Sequence, residues 1–426
     1  MRAGPTYNAS SMQRMDVSKL AYMTSDEPGI GGRLKQRPED FVVEEIPRFE
    51  LSGRGDYLYL GVEKRRRLTT DVVRILAEHL GIARERFTFA GLKDKHAVTR
   101  QLFSIQDPDD DLTDSLQAFD DHGFKILWMD RHHHGLARGA HGGNRFVIRI
   151  RKVDASAVVA ARRIMERLAA GGAPNFIGEQ RFGYRMDNAI LGQLLMEARW
   201  QEFLDLLLGR PMEGEIERNV AARQAYDRGD YAAALDGWPT VHRFERQALG
   251  PLSRGAAARD AINGIDPTQL SLLLSAFQSH VFNHIIDARV RAGRMNVLEI
   301  GDVVTIHATD MLRFVEDIET DQPRCDREKI SATGPMWGRG MMRARARVGQ
   351  AELDALHVTG ISEEMFGEDQ MFRPPGARRP LRSLIADHEI GGGVDEHGPF
   401  VRLAFTLGRG CFATVVTREV MKNSGK

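Results

Sequence analysis

The 426-residue chain is poor in cysteine: Cys325 and Cys411 are its only two. Two thiols cannot build a disulfide scaffold or a cysteine-rich zinc site, and such sparse usage suits the reducing cytoplasm. No apolar run approaches the ~18–20 residues that cross a bilayer, so no membrane partner is expected. Residues 1–25 lack the apolar stretch of a secretory signal and are expected to form a flexible leader. Net charge is also absent, because 59 Lys and Arg balance 59 Asp and Glu. That balance does not exclude nucleic acid, since local clustering decides the matter. With 42% apolar and 28% charged residues, the composition is ordinary for a globular protein. It excludes a wholly disordered, collagen-like or heptad-repeat chain. The length allows two or three domains.

Motifs for bound cofactors are missing as well. No Gly-Lys is followed by Ser or Thr, so there is no Walker A loop. Gly29-Ile30-Gly31-Gly32 lacks the third glycine of a dinucleotide loop. A glycine-rich adenosylmethionine loop, which a methyltransferase needs, is not found. No His-Glu-x-x-His helix occurs. His280 and His284 stand four apart on an expected helix, but no third ligand accompanies them, so buried or surface histidines are expected there. We therefore expect no cofactor and no metal. A helix-turn-helix or zinc finger is equally absent, which argues against DNA.

What the chain does have is segregated charge. Residues 131–152 carry six Lys or Arg, four His and no acid. Lys64–Arg67 reads KRRR. Further basic zones hold Arg339, Arg343, Arg345 and Arg347, then Arg373, Arg378, Arg379 and Arg382. The acids lie elsewhere: Asp107–Asp121 has seven Asp and no base, and Glu213, Glu215 and Glu217 cluster. Such a distribution fits either a phosphate-tracking surface or a set of solvated Arg-rich loops.

Hydrophobic period divides the chain into three parts. Alternation marks strands at Phe41–Glu45, Tyr57–Val62, Phe87–Ala90, Val98–Ile105, Lys125–Met129 and Phe146–Ile150. Helices are expected at Thr69–Leu80, capped by Thr69 or Thr70 and stopped by Gly81, and at Asp154–Ala170. Long helical stretches follow at Ala189–Leu208 and Pro267–Ala292, with a weakly patterned segment between. A strand is expected at Leu298–His307 and a short helix at Ala351–Leu356. From Phe400 the first style returns, as an alternating strand and then a turn into a helix. The reading is an α+β core of residues 26–171 and 383–426, interrupted by a helix-rich insert over 172–382. Gly171–Pro174 and Arg373–Gly376 are the expected hinges.

The densest stretch is Phe87–Gln101, FTFAGLKDKHAVTRQ. A strand runs into Gly91, and Asp94 follows between Lys93 and Lys95. Flanking ammonium groups favour an ionised carboxylate. An ionised Asp at a strand-end turn serves as nucleophile, base or metal ligand, or is simply a solvated turn residue.

GLKDKHAVT resembles the signature of the TruD family of tRNA pseudouridine synthases. Other blocks are similar in the same order: RPEDFVVEE (Arg37–Glu45), GNRF (Gly143–Phe146), PNFIGEQRFG (Pro174–Gly183), LSAFQSHVFNHIIDAR (Leu274–Arg289) and GCFATVVTREV (Gly410–Val420). Together they span nearly the whole chain. The resemblance implies a synthase core with a mixed or antiparallel sheet and flanking helices, plus an inserted TruD domain. It implies an isomerase, an intramolecular transferase that turns uridine-13 of tRNA into pseudouridine without a cofactor. Asp94 would be the catalytic carboxylate, and Phe41, Asn144, Phe146 and Phe412 would bind substrate. A monomer with tRNA as partner is expected. Arg100 stands where some bacterial members have an acid, and the insert carries extra length around residues 211–259. The alternatives are a non-catalytic RNA-binding protein, which has no need of Asp94, and a synthase acting on other RNA.

Overall fold

A computed structural model of the protein describes residues 12–117, 119–121, 123–367 and 371–423. The chain divides into two compact units. One holds Tyr22–Asn175 and the stretch from Arg382 on. The other holds Phe176–Leu381 with residues 12–21.

The first unit is built on an eight-stranded sheet. Its strands are β1 (Phe41–Pro47), β2 (Tyr57–Arg65), β3 (Phe87–Phe89), β4 (Val98–Gln106), β5 (Phe124–His132), β6 (His141–Arg151), β7 (Ile385–Asp395) and β8 (Gly398–Gly408). The order is β7-β8-β6-β1-β4-β2-β5, with β3 pairing to β4. β1 and β4 run parallel, and the other pairings are antiparallel. The sheet is therefore mixed, and the α+β expectation holds. Helices α1 (Thr69–Leu80), α2 (Val158–Gly171) and α3 (Ala413–Met421) accompany it. Val72, Val73, Leu76 and Ala77 of α1 pack with Leu58, Leu60 and Val62 of β2 and Phe103 and Ile105 of β4. Each buried Leu or Ile of that stripe contributes about 1.5–3 kcal/mol. A second cluster joins α2 and α3 to β1, β6 and β8. Gly81, at φ 67, ends α1 in the left-handed region.

Register explains where polarity enters this core. Phe41, Val43 and Glu45 of β1 alternate onto one face and are all buried. Ile148, Phe146 and Asn144 of β6 lie opposite them in turn. A period of two sends Glu45 inward with Phe41 and Val43. The apolar row thus ends in a carboxylate opposite an amide.

In the second unit, helices Asn188–Met196, Trp200–Leu208, Glu217–Asp227, Tyr231–Gly237, Arg243–Leu252 and Ala258–Asn263 lead to the long helix Pro267–Arg291. The helix expected over Ala189–Leu208 is broken at Ala198, whose φ is 55. This unit also has a four-stranded sheet, ordered Ala377–Pro380, Ile330–Met336, Val303–Ile306 and Met311–Phe314. Only the third of these strands was expected from the sequence, as part of Leu298–His307.

The leader reading needs correction from residue 12 on, residues 1–11 lying outside the described residues. Met12, Met15, Val17 and Leu20 are buried, and the backbone N–H of Ala21 donates to Asp287 at 2.6 Å. The Thr24 hydroxyl donates to Glu419 of α3 at 2.9 Å. Of the three chain crossings between the units, those at 175/176 and 381/382 adjoin one short ribbon, in which Ala173 and Pro174 pair antiparallel with Ser383 and Arg382.

Candidate active site

The loop between β3 and β4 carries Asp94, and three side chains hold its backbone. The Gln101 amide donates to the Gly91 carbonyl at 2.5 Å. The Thr69 hydroxyl donates to Gln101 Oε1 at 3.0 Å and accepts from the Lys93 N–H at 3.1 Å. Thr69 therefore braces the loop and does not cap α1; instead, Asp71 accepts from the Leu68 N–H. The third is Lys64, 1% exposed. Its ammonium donates to the carbonyls of Arg67 at 2.9 Å, Asp94 at 3.1 Å and Lys93 at 3.4 Å. Burial pushes this ammonium down to about 8, and the charge of Asp94 offsets part of the drop. The first residue of the KRRR run is thus an internal clamp, not a solvated base.

The carboxylate itself meets Lys35, at 2.6 Å between Nζ and Oδ2, and keeps 40% of its side-chain surface exposed. Lys35 adopts φ 51, an uncommon conformation for a residue with a Cβ. The same ammonium lies 4.4 Å from the centroid of Phe41, so one cation touches both the carboxylate and the aromatic floor. Phe41 meets Phe146 edge to face at 6.3 Å, and Phe146 meets Phe405 at 5.6 Å. Phe41 and Phe146 are 3% and 7% exposed and belong to the core cluster.

Lys93 does not face Asp94. Its ammonium donates to Asn144 Oδ1 at 2.5 Å and pairs with Glu45 at 2.9 Å. Lys95 is exposed. The sequence reading placed Lys93 and Lys95 beside the carboxylate; the ion-pair partner is Lys35, 59 residues earlier in the chain. The Glu45 side chain has no exposed surface. Among the described residues neither of its oxygens takes an aligned hydrogen bond, so its contact with Lys93 is one of charge. Burial first, then the Lys93 charge, push the nearby His141 ring below its usual range. Phe412, 36% exposed, immediately precedes α3. Four residues before it, Gly408 pairs with Gly143, the neighbour of Asn144.

The structure thus joins Asp94 to Phe41 and Phe146 through Lys35, and fixes Asn144 through Lys93. Sequence reasoning missed Lys35, Lys64, Thr69 and Gln101 as parts of this arrangement. Glu45 could have been found from the strand alternation alone.

The other candidates resolve differently. The Nε2 atoms of His280 and His284 lie 3.0 Å apart. Burial, followed by His284, pushes the His280 ring down to about 3. Among the described residues no group of three or more His, Cys, Asp or Glu is gathered for a metal. In the basic stretch, Arg131 pairs with Asp107 and Asp110, and Arg145 with Glu389. Arg149 and Arg151 meet Asp395, and Arg151 also meets Asp40. Arg138 and Lys152 are exposed. Among the described residues no helix is long and apolar enough to cross a membrane.

Comparison with known proteins bears on this geometry. The family model described as tRNA pseudouridine synthase D (TruD) matches residues 17–420. The chain belongs to the TruD family. It is 35% identical over 401 residues to the tRNA pseudouridine synthase D of Syntrophotalea carbinolica, covering 94% of this chain and 98% of that relative. A probable tRNA pseudouridine synthase D of Thermococcus gammatolerans is 32% identical over 419 residues, with 94% and 97% covered. Among solved structures, that of the putative TruD of Methanosarcina mazei superposes with a TM-score of 0.81 at 28% identity, covering 94% of this chain and 96% of that one. The α+β core is therefore that of a TruD protein.

Proposed function

We propose that this chain is a tRNA pseudouridine synthase that isomerises uridine-13, with Asp94 as its catalytic carboxylate. The observation that carries the reading is a half-exposed carboxylate, ion-paired to Lys35, on a loop clamped by Lys64, beside buried Phe41 and Phe146. The reaction breaks the bond from C1′ to N1 of uracil, turns the base, and forms a bond from C1′ to C5. The C5 proton is lost and N1 gains one, so atoms and charge balance with no redox change and no need of a cofactor. Asp94 either attacks the ribose or takes a proton from it. Extruding the uridine from its stack costs a few kcal/mol. Aromatic faces return roughly 1–3 kcal/mol per stacked base; Phe412 is the ring with an exposed face for this, and the buried Phe146 and Phe41 form the wall beside the base. Asn144 meets the polar edge of the base. Phosphate contacts hold the remainder of the tRNA, with Arg138, Lys152 and the exposed Arg339 and Arg347 as their source.

The test is incubation of purified protein with unmodified tRNA and no added cofactor, followed by pseudouridine mapping at single-nucleotide resolution. A single new pseudouridine at position 13 is expected. Conversion elsewhere, or only in another RNA, would remove the substrate assignment, and tRNA binding without conversion would favour a binding protein.

A further inference from the structure

We propose that Lys93, held by Glu45, is a positioning residue that fixes the Asn144 side chain so that its NH2 group, and not its carbonyl oxygen, faces the substrate. This inference rests on the placement of Asn144 in the site of a pseudouridine synthase. An amide offers two donors on one side and an acceptor on the other, and the two ends are interchangeable in shape. A lysine ammonium has donors only. Its contact with Asn144 at 2.5 Å therefore selects the oxygen as the inner atom. Lys93 is 9% exposed and pairs at 2.9 Å with the fully buried Glu45. Glu45 in turn lies directly opposite Asn144 across β1 and β6. The backbone of Lys93 is tied down at Thr69 and by Lys64. With Lys93 so held, a flip of the amide would set an ammonium against NH2 donors.

The consequence is chemical. What Asn144 presents is a donor, and its complement is an acceptor oxygen. On uracil those are the two carbonyls, whereas N3–H would find no acceptor there. Asn144 thus reads a carbonyl of the base, one before the ring turns and the other after it.

Single-turnover rates with enzyme in excess over unmodified tRNA, tRNA affinity and thermal melting test this together. Asn144→Asp keeps the shape but presents an oxygen outward, and Lys93 keeps its acceptor. It should be as slow as Asn144→Ala. Lys93→Met should lower the rate about 10–100-fold, the scale of a small misplacement, with tRNA affinity unchanged. In the Asn144→Ala background the same change should cost nothing further, to within about twofold. If Lys93→Met does not fold, the paired replacement Glu45→Leu with Lys93→Met removes both buried charges and carries the same expectation. A loss from Lys93→Met that multiplies with Asn144→Ala, or a wild-type rate in Asn144→Asp, overturns the inference. A wild-type rate in Asn144→Ala would instead remove Asn144 from the site, and with it the reading on which the inference rests.

Discussion

At the scale of single residues, Asp94 carries the sharpest expectation. Asp94→Asn keeps the side-chain volume but removes the nucleophile and base. The half-exposed position packs little, so losing the Lys35 ion pair should cost the fold no more than about 1 kcal/mol. Binding should survive, since phosphate contacts supply most of it. Pseudouridine formation in a timed assay should vanish. Asp94→Glu keeps the charge but moves it by about 1 Å, which costs about 100-fold. A near wild-type rate in either variant removes the assignment. Strand, glycine and charged triplet alone fit a solvated turn as well; it was the resemblance of GLKDKHAVT to the TruD signature that singled out this carboxylate. Its partner was not legible. Lys35 lies in an irregular loop with no period to mark it, and only the tertiary fold brings it to 2.6 Å. Lys64 was hidden by composition: KRRR reads as phosphate-facing or solvated, and one of its four bases is buried under three carbonyls.

At the scale of elements, α1 was legible to the residue because Val72, Val73 and Leu76 bury on one side and Gly81 stops it. The helices between Glu217 and Asn263 were not. Glu217–Asp227 buries Asn219, Ala222, Arg223, Ala225 and Tyr226, a face with almost no hydropathy contrast. β7 was missed for a related reason: glycines and exposed charged residues fill most of it. The long helix Pro267–Arg291 carries a pH-dependent expectation. The His280 ring titrates near 6.5 when unfolded and is held by burial to about 3 when folded. Above 6.5 both states are neutral and the ring adds no dependence. As pH falls below 6.5 the unfolded chain takes a proton that the folded ring refuses. Stability should then drop by up to ~1.4 kcal/mol per pH unit for this group. His284, also lowered chiefly by burial, acts in the same direction. Urea unfolding at pH 7, 6 and 5 should show a shallower decline in His280→Gln than in wild type. Parallel declines would mean that the ring takes up its proton at the same pH folded and unfolded.

For the molecule as a whole, the zero net charge conceals extensive pairing. Four of the six cations in residues 131–152 have carboxylate partners. Counting them all as phosphate ligands would overstate the surface. Replacing Arg138 and Lys152 with Ala should lower the salt dependence of tRNA binding by nearly one unit of slope each, whereas an unchanged slope would leave them as solvated bases. The paired ribbon of Ala173–Pro174 with Arg382–Ser383 has a different consequence. Partner residues on antiparallel strands lie about 4.5–5.5 Å apart, and two residues suffice to join them. The host fold therefore closes on itself where its guest departs, as a graft does on a stem. Starting the chain at Tyr22, since residues 12–21 belong with the guest, and exchanging residues 175–381 for Asn-Gly should leave a soluble, cooperatively melting β1–β8 domain of about half the original length. An excised core that cannot fold would show that the guest has become part of the host's own stability.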